Sequence, residues 1–324
     1  MSSSPEKSGF RFEKWAPLIL LGAAFAIYIG IVIATGQSQY LSLDNLIAIL
    51  GRSIALGITA IGQTFVILVA SIDLSVASLI SASSVLASVV MDGAPSMIIP
   101  AIIAALAIGV LVGLINGLII TSLMVNPLIA TLGTSLIIQG CLSAFVSNFA
   151  GSVPEEFQIF AYGEFLGVPA ALIFLVLLAL AAWWMLRFTK LGSDIYAVGG
   201  NEEAARFAGI KTKRVIVWAH VICSVCATIA GLYLASRLRS GAPWIGADGV
   251  YDLESIAVVV IGGTVLAGGR GGILGTMAGM MIFSLIDSIF NIAGVDSFAK
   301  QVMRGIIIIA AVAFYALRSK RIVA

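Results

Sequence analysis

Ser96–Ile120 reads SMIIPAIIAALAIGVLVGLINGLII and holds no charged residue. About 20 apolar residues, each rising about 1.5 Å, cross a bilayer as a helix, so this stretch is long enough to span one. Its one amide side chain is Asn116. Gly109, Gly113 and Gly117 recur at every fourth position, a spacing that lets a neighbouring helix approach backbone to backbone.

Comparable runs recur along the chain. Trp15–Thr35, Leu46–Ala70, Leu74–Met91, Ser96–Ile120 and Pro127–Ser147 come first, and after a longer polar break come Pro169–Leu186, Val215–Ser236, Ser255–Ala267, Ile273–Phe290 and Val302–Leu317. Of 324 residues, 60% are hydrophobic and 10% charged, against about 45–50% and about 25% in ordinary soluble domains. A soluble enzyme, a disordered chain and a disulfide scaffold are excluded. The reading is an all-α polytopic membrane protein of about ten transmembrane helices. The third and eighth runs are short, and short interrupted segments in transporters can break or re-enter at membrane depth. The first run exceeds the apolar core of a signal peptide and no small-residue cleavage site follows it, so it is expected to be a retained span. Cys141, Cys223 and Cys226 all lie in apolar stretches and read as small embedded residues.

Basic residues set the orientation, because short cytoplasmic loops retain Lys and Arg. With the N-terminus inside, Lys7, Arg11, Lys14, Arg187, Lys190, Arg206, Lys211, Lys213, Arg214, Arg270, Arg318, Lys320 and Arg321 are cytoplasmic. Of the 18 Lys and Arg, only Arg52, Arg237, Arg239, Lys300 and Arg304 fall elsewhere. An even number of spans then puts both termini in the cytoplasm. The organisation read from this is a cytoplasmic tail over 1–14, one membrane domain over 15–317 and a cytoplasmic tail over 318–324. Two connections inside the domain are long, an external loop over 148–168 and an internal one over 187–214. A net charge of +2 gives no case for a nucleic-acid partner.

The internal loop contains Gly199-Gly200-Asn201-Glu202-Glu203-Ala204-Ala205-Arg206-Phe207-Ala208-Gly209-Ile210. Asn201 is a good N-cap, and Glu202 and Glu203 suit the positive end of the helix dipole. Ala204 and Ala205 propagate a helix, and Gly209 suits the left-handed residue that ends one. Two readings are open from the residues alone. One is an ordinary solvated loop helix; the other is a rigid knob for a cytoplasmic partner, with Phe207 as its apolar contact.

Glu203-Ala204-Ala205, followed after three residues by Gly209-Ile210, resembles the Glu-Ala-Ala loop of ATP-binding-cassette (ABC) importer permeases. The flanking Tyr196–Asn201 is similar to the form in the ribose/xylose/galactoside permease family. Gly62–Leu68 leading into Ile72-Asp73-Leu74-Ser75-Val76, Asn116-Gly117, Ile129–Gly133, Ile256–Thr264 and Gly268–Gly271 also match that family's pattern, in family order. The sequence departs from the pattern at Ala70-Ser71 and Ala77, where glycine is usual, and at Asp287, where Asn is more usual. The resemblance implies a type II importer fold with two pseudo-symmetric halves, and Gly57–Ala87 and Glu254–Ser284 share a weak likeness compatible with it. It also implies a coupling helix of Asn201, Glu202, Glu203, Ala204, Ala205, Arg206, Phe207 and Gly209 that grips an ABC ATPase subunit. A second permease copy and a periplasmic sugar-binding protein are the other implied partners, with membrane lipid around them in the bacterial inner membrane.

The glycines around Gly262–Gly272 do not form a phosphate loop, which needs Gly-Lys followed by Ser or Thr; Gly271 follows Arg270. They suit a tight turn between close helices, as Gly275 and Gly279 suit close packing. The chain is expected to bind no cofactor, ATP and Mg²⁺ being used by the partner subunit, and to have no catalytic residues. Asp73 is either a functional intramembrane carboxylate or an acidic cap of the third helix; the resemblance places its motif near the cytoplasmic gate. His220, Cys223 and Cys226 drift around one helix and fall short of the four ligands zinc favours, so no metal is expected and His220 is assigned to packing or an interhelical hydrogen bond. Gln63, Asp73, Asn116 and Asn126 are candidates for the translocation path or gate. Gln63, Asn116, Asn126 and Gln139 could instead bond to neighbouring helices. Asp287 has Arg304 and Lys300 as candidate partners.

The function these readings support is the permease subunit of an ATP-driven importer of a monosaccharide or related polyol, the solute class coming from the resemblance alone. An ion-coupled secondary transporter is the alternative, and its expected mid-membrane ionisable pairs reduce here to Asp73 and Asp287, both near span ends.

Overall fold

Apolar runs become helices, and the two that are short in the sequence remain short. The computed structural model describes residues 9–307, 309 and 310, the side chains of 9–14 aside. In chain order the helices are α1 (Gly9–Ala34), α2 (Leu43–Arg52), α3 (Ile54–Leu68), α4 (Val76–Met91), α5 (Ile98–Ser122), α6 (Pro127–Phe145) and α7 (Glu155–Tyr162). They continue with α8 (Ala170–Phe188), α9 (Lys190–Gly200), α10 (Glu202–Phe207), α11 (Thr212–Leu238), α12 (Ile245–Asp248), α13 (Tyr251–Ile261) and α14 (Ile273–Ile292). A further helical stretch covers 297–307. The rest of the tenth apolar run and the tail over 318–324 lie outside the described residues, as does the tail up to residue 8. Residues 9–14 are helical and continuous with α1, whose apolar span begins at Trp15.

Six of these helices (α1, α5, α6, α8, α11 and α14) are long and apolar enough to cross a membrane alone. A seventh crossing is added if α2 and α3, bent by 50° at their junction, count as one span. The third and eighth runs give α4, with 16 residues, and α13, with 11, shorter than the about 20 that a full crossing takes. Among the described residues, length and composition alone therefore support six or seven crossings, against about ten read from the whole sequence.

The α2–α3 bend frees backbone groups, and side chains satisfy them. The Gly51 carbonyl accepts from the Tyr233 hydroxyl and from Arg237 Nη1, each at 3.0 Å, as a kinked helix in a low-dielectric environment requires.

Helix α11 is the centre of the fold. It packs on α5, α3 and α4, and most of its length is buried. Small residues allow this. A Cβ on Gly113 would lie 2.5 Å from Val221 Cα, one on Gly117 2.7 Å from Val217 Cα, and one on Gly62 2.9 Å from Cys223 Cα. The four-residue glycine spacing in α5 is thus a close-packing face, as the sequence indicates. By contrast α1 and α6 bury little of themselves within this chain. The long external connection read over 148–168 contains α7 and, with Pro169, a hairpin of two-residue strands, β1 (Glu164–Phe165) and β2 (Val168–Pro169). Glu155 and Glu156 occupy the first turn of α7, where the helix dipole favours them.

Candidate functional site

The helix expected between Asn201 and Gly209 is present as α10. Asn201 Oδ1 accepts from Ala204 N at 2.9 Å, the N-cap bond the sequence called for. At the other end Gly209 N donates to Arg206 O and Ile210 N to Ala205 O, each at 3.0 Å, with Gly209 at φ +84°. That pair of bonds is the Schellman closure. Ala205 alone is buried; Phe207 is 79% exposed. Arg206 Nη2 is 3.9 Å from Glu203 Oε1, and its guanidinium lies 5.7 Å from the centre of the Phe207 ring.

Behind this exposed helix, α9 is held to the membrane domain by backbone contact. A Cβ on Gly199 would run into Leu68 O and Gly269 N. Gly269 N itself donates to Leu68 O at 2.9 Å, and a Cβ on Gly268 would lie 2.8 Å from both Ala70 N and Gly199 O. Tyr196 adds a bond from its hydroxyl to Gly271 O at 2.9 Å; burial pushes its phenol above the ordinary value, against a smaller pull from Arg187. Three segments distant in sequence therefore meet without side chains between them: the end of α3, the end of α9, and the glycine turn joining α13 to α14. The turn is the tight connector the sequence indicated.

A buried polar cluster lies beside that junction. His220 Nδ1 is 3.2 Å from Asp73 Oδ2, and Nε2 is 2.9 Å from Ser71 Oγ. An ionised Asp73 only accepts, which puts the ring proton on Nδ1 and leaves Nε2 to accept from Ser71. Asp73 Oδ1 accepts from Ser75 N at 2.9 Å and from the Ser75 hydroxyl. Asn116 Nδ2 donates to Ser75 Oγ at 2.9 Å, and Asn116 Oδ1 accepts from Thr134 Oγ1 at 2.7 Å. Thr131 Oγ1 accepts from Leu74 N at 3.0 Å. The cluster joins the α3–α4 connection to α5, α6 and α11.

This corrects the capping reading of Asp73. The N-cap of α4 is Ser75, with no side-chain capping bond. Asp73 instead folds an Asx turn onto Ser75 N–H, and its other oxygen faces His220 on α11, as the interhelical bond expected of His220 requires. Among the path candidates, Asn126 caps α6 by accepting from Leu128 N at 3.0 Å and lines an open cleft. Gln63, Asp73 and Asn116 are fully buried; Gln63 Oε1 accepts from Cys223 Sγ at 3.3 Å. Gln139 Nε2 donates to Pro243 O at 3.2 Å. Asp287 pairs with Arg304 at 2.8 Å, and Glu254, which sequence reasoning passed over, takes the same guanidinium at 3.0 Å. Its position just ahead of the eighth apolar run was the available signal. Among the described residues no group of three or more His, Cys, Asp or Glu could hold a metal ion.

Residues 45–312 match the family described as branched-chain amino acid transport system, permease component. The chain belongs to this permease family. It is similar to the ribose import permease protein RbsC of Escherichia coli (strain K12), 34% identical over 94% of this chain and 96% of that one. It is 38% identical to the ribose import permease protein RbsC of Bacillus subtilis (strain 168), over 90% and 91% of the two chains. It is 35% identical to the L-arabinose transport system permease protein AraH of Escherichia coli (strain K12), over 99% and 98%. No solved structure matches. The permease is a multi-pass α-helical membrane protein.

Proposed function

We propose that this permease is the membrane-spanning subunit of an ATP-driven ABC importer that carries a monosaccharide or related polyol into the cell across the bacterial inner membrane. The observation that carries the reading is the exposed, doubly capped α10, joined through α9 to the end of α3 and the α13–α14 turn, in a chain whose relatives along nine-tenths of its length are sugar import permeases. An ABC ATPase subunit grips α10 around Glu203 and Phe207. ATP and Mg²⁺ act in that subunit, and closure of the ATPase pair moves α10 and α9 as one body, because Asn201 N donates to Ala197 O at 3.1 Å across their junction. The movement passes to α3 and α13–α14 through the backbone contacts at Gly199, Gly268 and Leu68.

Ten crossings with both termini cytoplasmic remain the preferred topology, supported by the order in which the apolar runs fall on helices and by the sidedness of Lys and Arg. In it α4 and α13 are the short members of two related halves. Both α3 and α13 end in a Schellman closure, at Ala70 (φ +59°) and Gly263 (φ +87°). A second permease copy faces the exposed flanks, and a sugar-binding protein docks on the α7 side.

Reconstitution with the partner ATPase and binding protein tests this. Labelled pentoses and hexoses should enter vesicles only with ATP, whereas uptake of leucine in their place would overturn the solute class. Glu203→Lys should leave the protein folded, since that side chain is 73% exposed, and should abolish coupled uptake. Wild-type uptake by this variant would sink the docking role.

A further inference from the structure

Beside α10 the structure contains a cleft of about 760 Å³, walled by the ends of α3, α5, α9 and α10 and by the starts of α6 and α11. We propose that it binds the headgroup of an anionic glycerophospholipid, with the acyl chains leaving along α5 and α11. Arg206, Lys211, Lys213 and Arg214 line it, against the single acid Glu202. Among the described residues no ion pair within 4.0 Å involves Lys211, Lys213 or Arg214, and Arg206 reaches only Glu203, at 3.9 Å. Like charges around a concave surface, three of them without an ion pair among the described residues, focus a positive potential.

The same walls also carry apolar side chains. Ile120, Met124 and Ile216 line the cleft, and at the end of α5 Leu123 is 71% and Met124 86% exposed. Cations and exposed apolar side chains sharing one cleft fit a phosphodiester carrying hydrocarbon better than a free anion or an acidic protein segment. Basic pockets between helix ends at the cytoplasmic surface are the expected form of such a site. A lipid held there would press on Arg206 of α10 on one side. On the other it would meet Ser71, which lines the cleft and bonds to His220, so it would brace the joint between the exposed helix and the buried cluster.

The test uses the full chain purified in an uncharged detergent and titrated with dioleoylphosphatidylglycerol or dioleoylphosphatidylcholine, bound lipid being counted by native mass spectrometry. The anionic lipid should bind at least tenfold more tightly. A K211Q/K213Q/R214Q variant should lose about 100-fold of that affinity, from about 1 kcal/mol per basic residue near a membrane surface. K211R/K213R/R214K should keep it, and Met124→Ser should weaken it several-fold. R187Q/K190Q, which removes basic charge outside the cleft, should change little. Equal binding of the two lipids, an unaffected triple Gln variant, a matching loss in R187Q/K190Q, or a loss in the charge-preserving variant would overturn the proposal. So would inorganic phosphate competing as strongly as the lipid, which would make this a free-anion site, and so would loss of ATPase assembly with lipid retained, which would make it a protein contact. Sugar uptake is a separate readout, so failure here leaves the transport reading standing.

Discussion

Two helices of this permease, α3 and α13, stop with the same pair of hydrogen bonds, and beyond those stops the chain is built in opposite ways. After α3, Ala70 N donates to Ile67 O and Ser71 N to Val66 O; after α13, Gly263 N donates to Val260 O and Thr264 N to Val259 O. The first break then carries Ser71, Asp73 and Ser75 into a buried polar cluster, whereas the second becomes a glycine turn. The two meet where Gly268 approaches Ala70 and where Thr64 of α3 bonds to Thr276 of α14 at 2.7 Å. One break is fixed by side chains and can hold a charge in the interior; the other is fixed by backbone and can be approached closely. A coupling element needs both properties, a rigid seat and a surface with no side chains to shear.

The largest expected effect comes from unbalancing the polar break. His220→Ala leaves a fully buried carboxylate without this partner and should destabilise by about 3–5 kcal/mol, whereas Asp73→Ala leaves an imidazole N–H unpaired and should destabilise by about 1–3 kcal/mol; each is read as a fall in thermal unfolding temperature in detergent. The double variant D73N/H220Q should recover more than half of the larger loss. Single variants as stable as wild type would show that the cluster is ornamental and the two breaks equivalent.

Next comes the glycine side. Gly268→Ala brings a Cβ to 2.8 Å from Ala70 N and Gly199 O at φ +85°, and backbone cannot step aside as a side chain can. A loss of about 1–3 kcal/mol is expected, together with a larger loss of coupled uptake than of ATPase assembly. An uptake defect no greater than the stability defect would break the assignment of this contact to transmission.

A smaller pair sharpens the comparison by sign. Ala70 is left-handed without being glycine, so Ala70→Gly should stabilise, and Gly263→Ala should destabilise, each by about 1 kcal/mol. Equal signs would mean that the two closures differ in more than their central residue. Smallest is Thr64→Val, which removes one interhelical hydroxyl bond and should remove about 0.6 kcal/mol, a typical value for such bonds in a membrane protein.

Much of this was legible before the fold. The long apolar helices and α10 come from local rules, while the count of ten crossings does not follow from helix length, which supports six or seven among the described residues. Asn201 caps a residue three positions on, and Gly209 closes bonds reaching back no further than Ala205. Apolar runs need no partner to declare themselves. Asp73 was read too locally: an acid just ahead of a helix looks like a cap, and its partner on α11 stands 147 residues away. Glu254 was missed for the same reason, since only folding brings it to the Arg304 that Asp287 also holds. Helix α7 was missed because eight residues make too few turns to show a strong period.

The sequence by itself determined that the chain lies in a membrane, which stretches are apolar helices, and that one short helix between two of them is capped at both ends. Those properties depend on hydropathy and on hydrogen bonds a few residues long. Only the tertiary structure decided which glycines touch which backbones, that Asp73 faces His220, and that four cations from the internal loop line one cleft together with apolar side chains. Each of these depends on atoms distant in sequence arriving within a few ångströms of one another, and the hydropathy of a run carries no information about its neighbour.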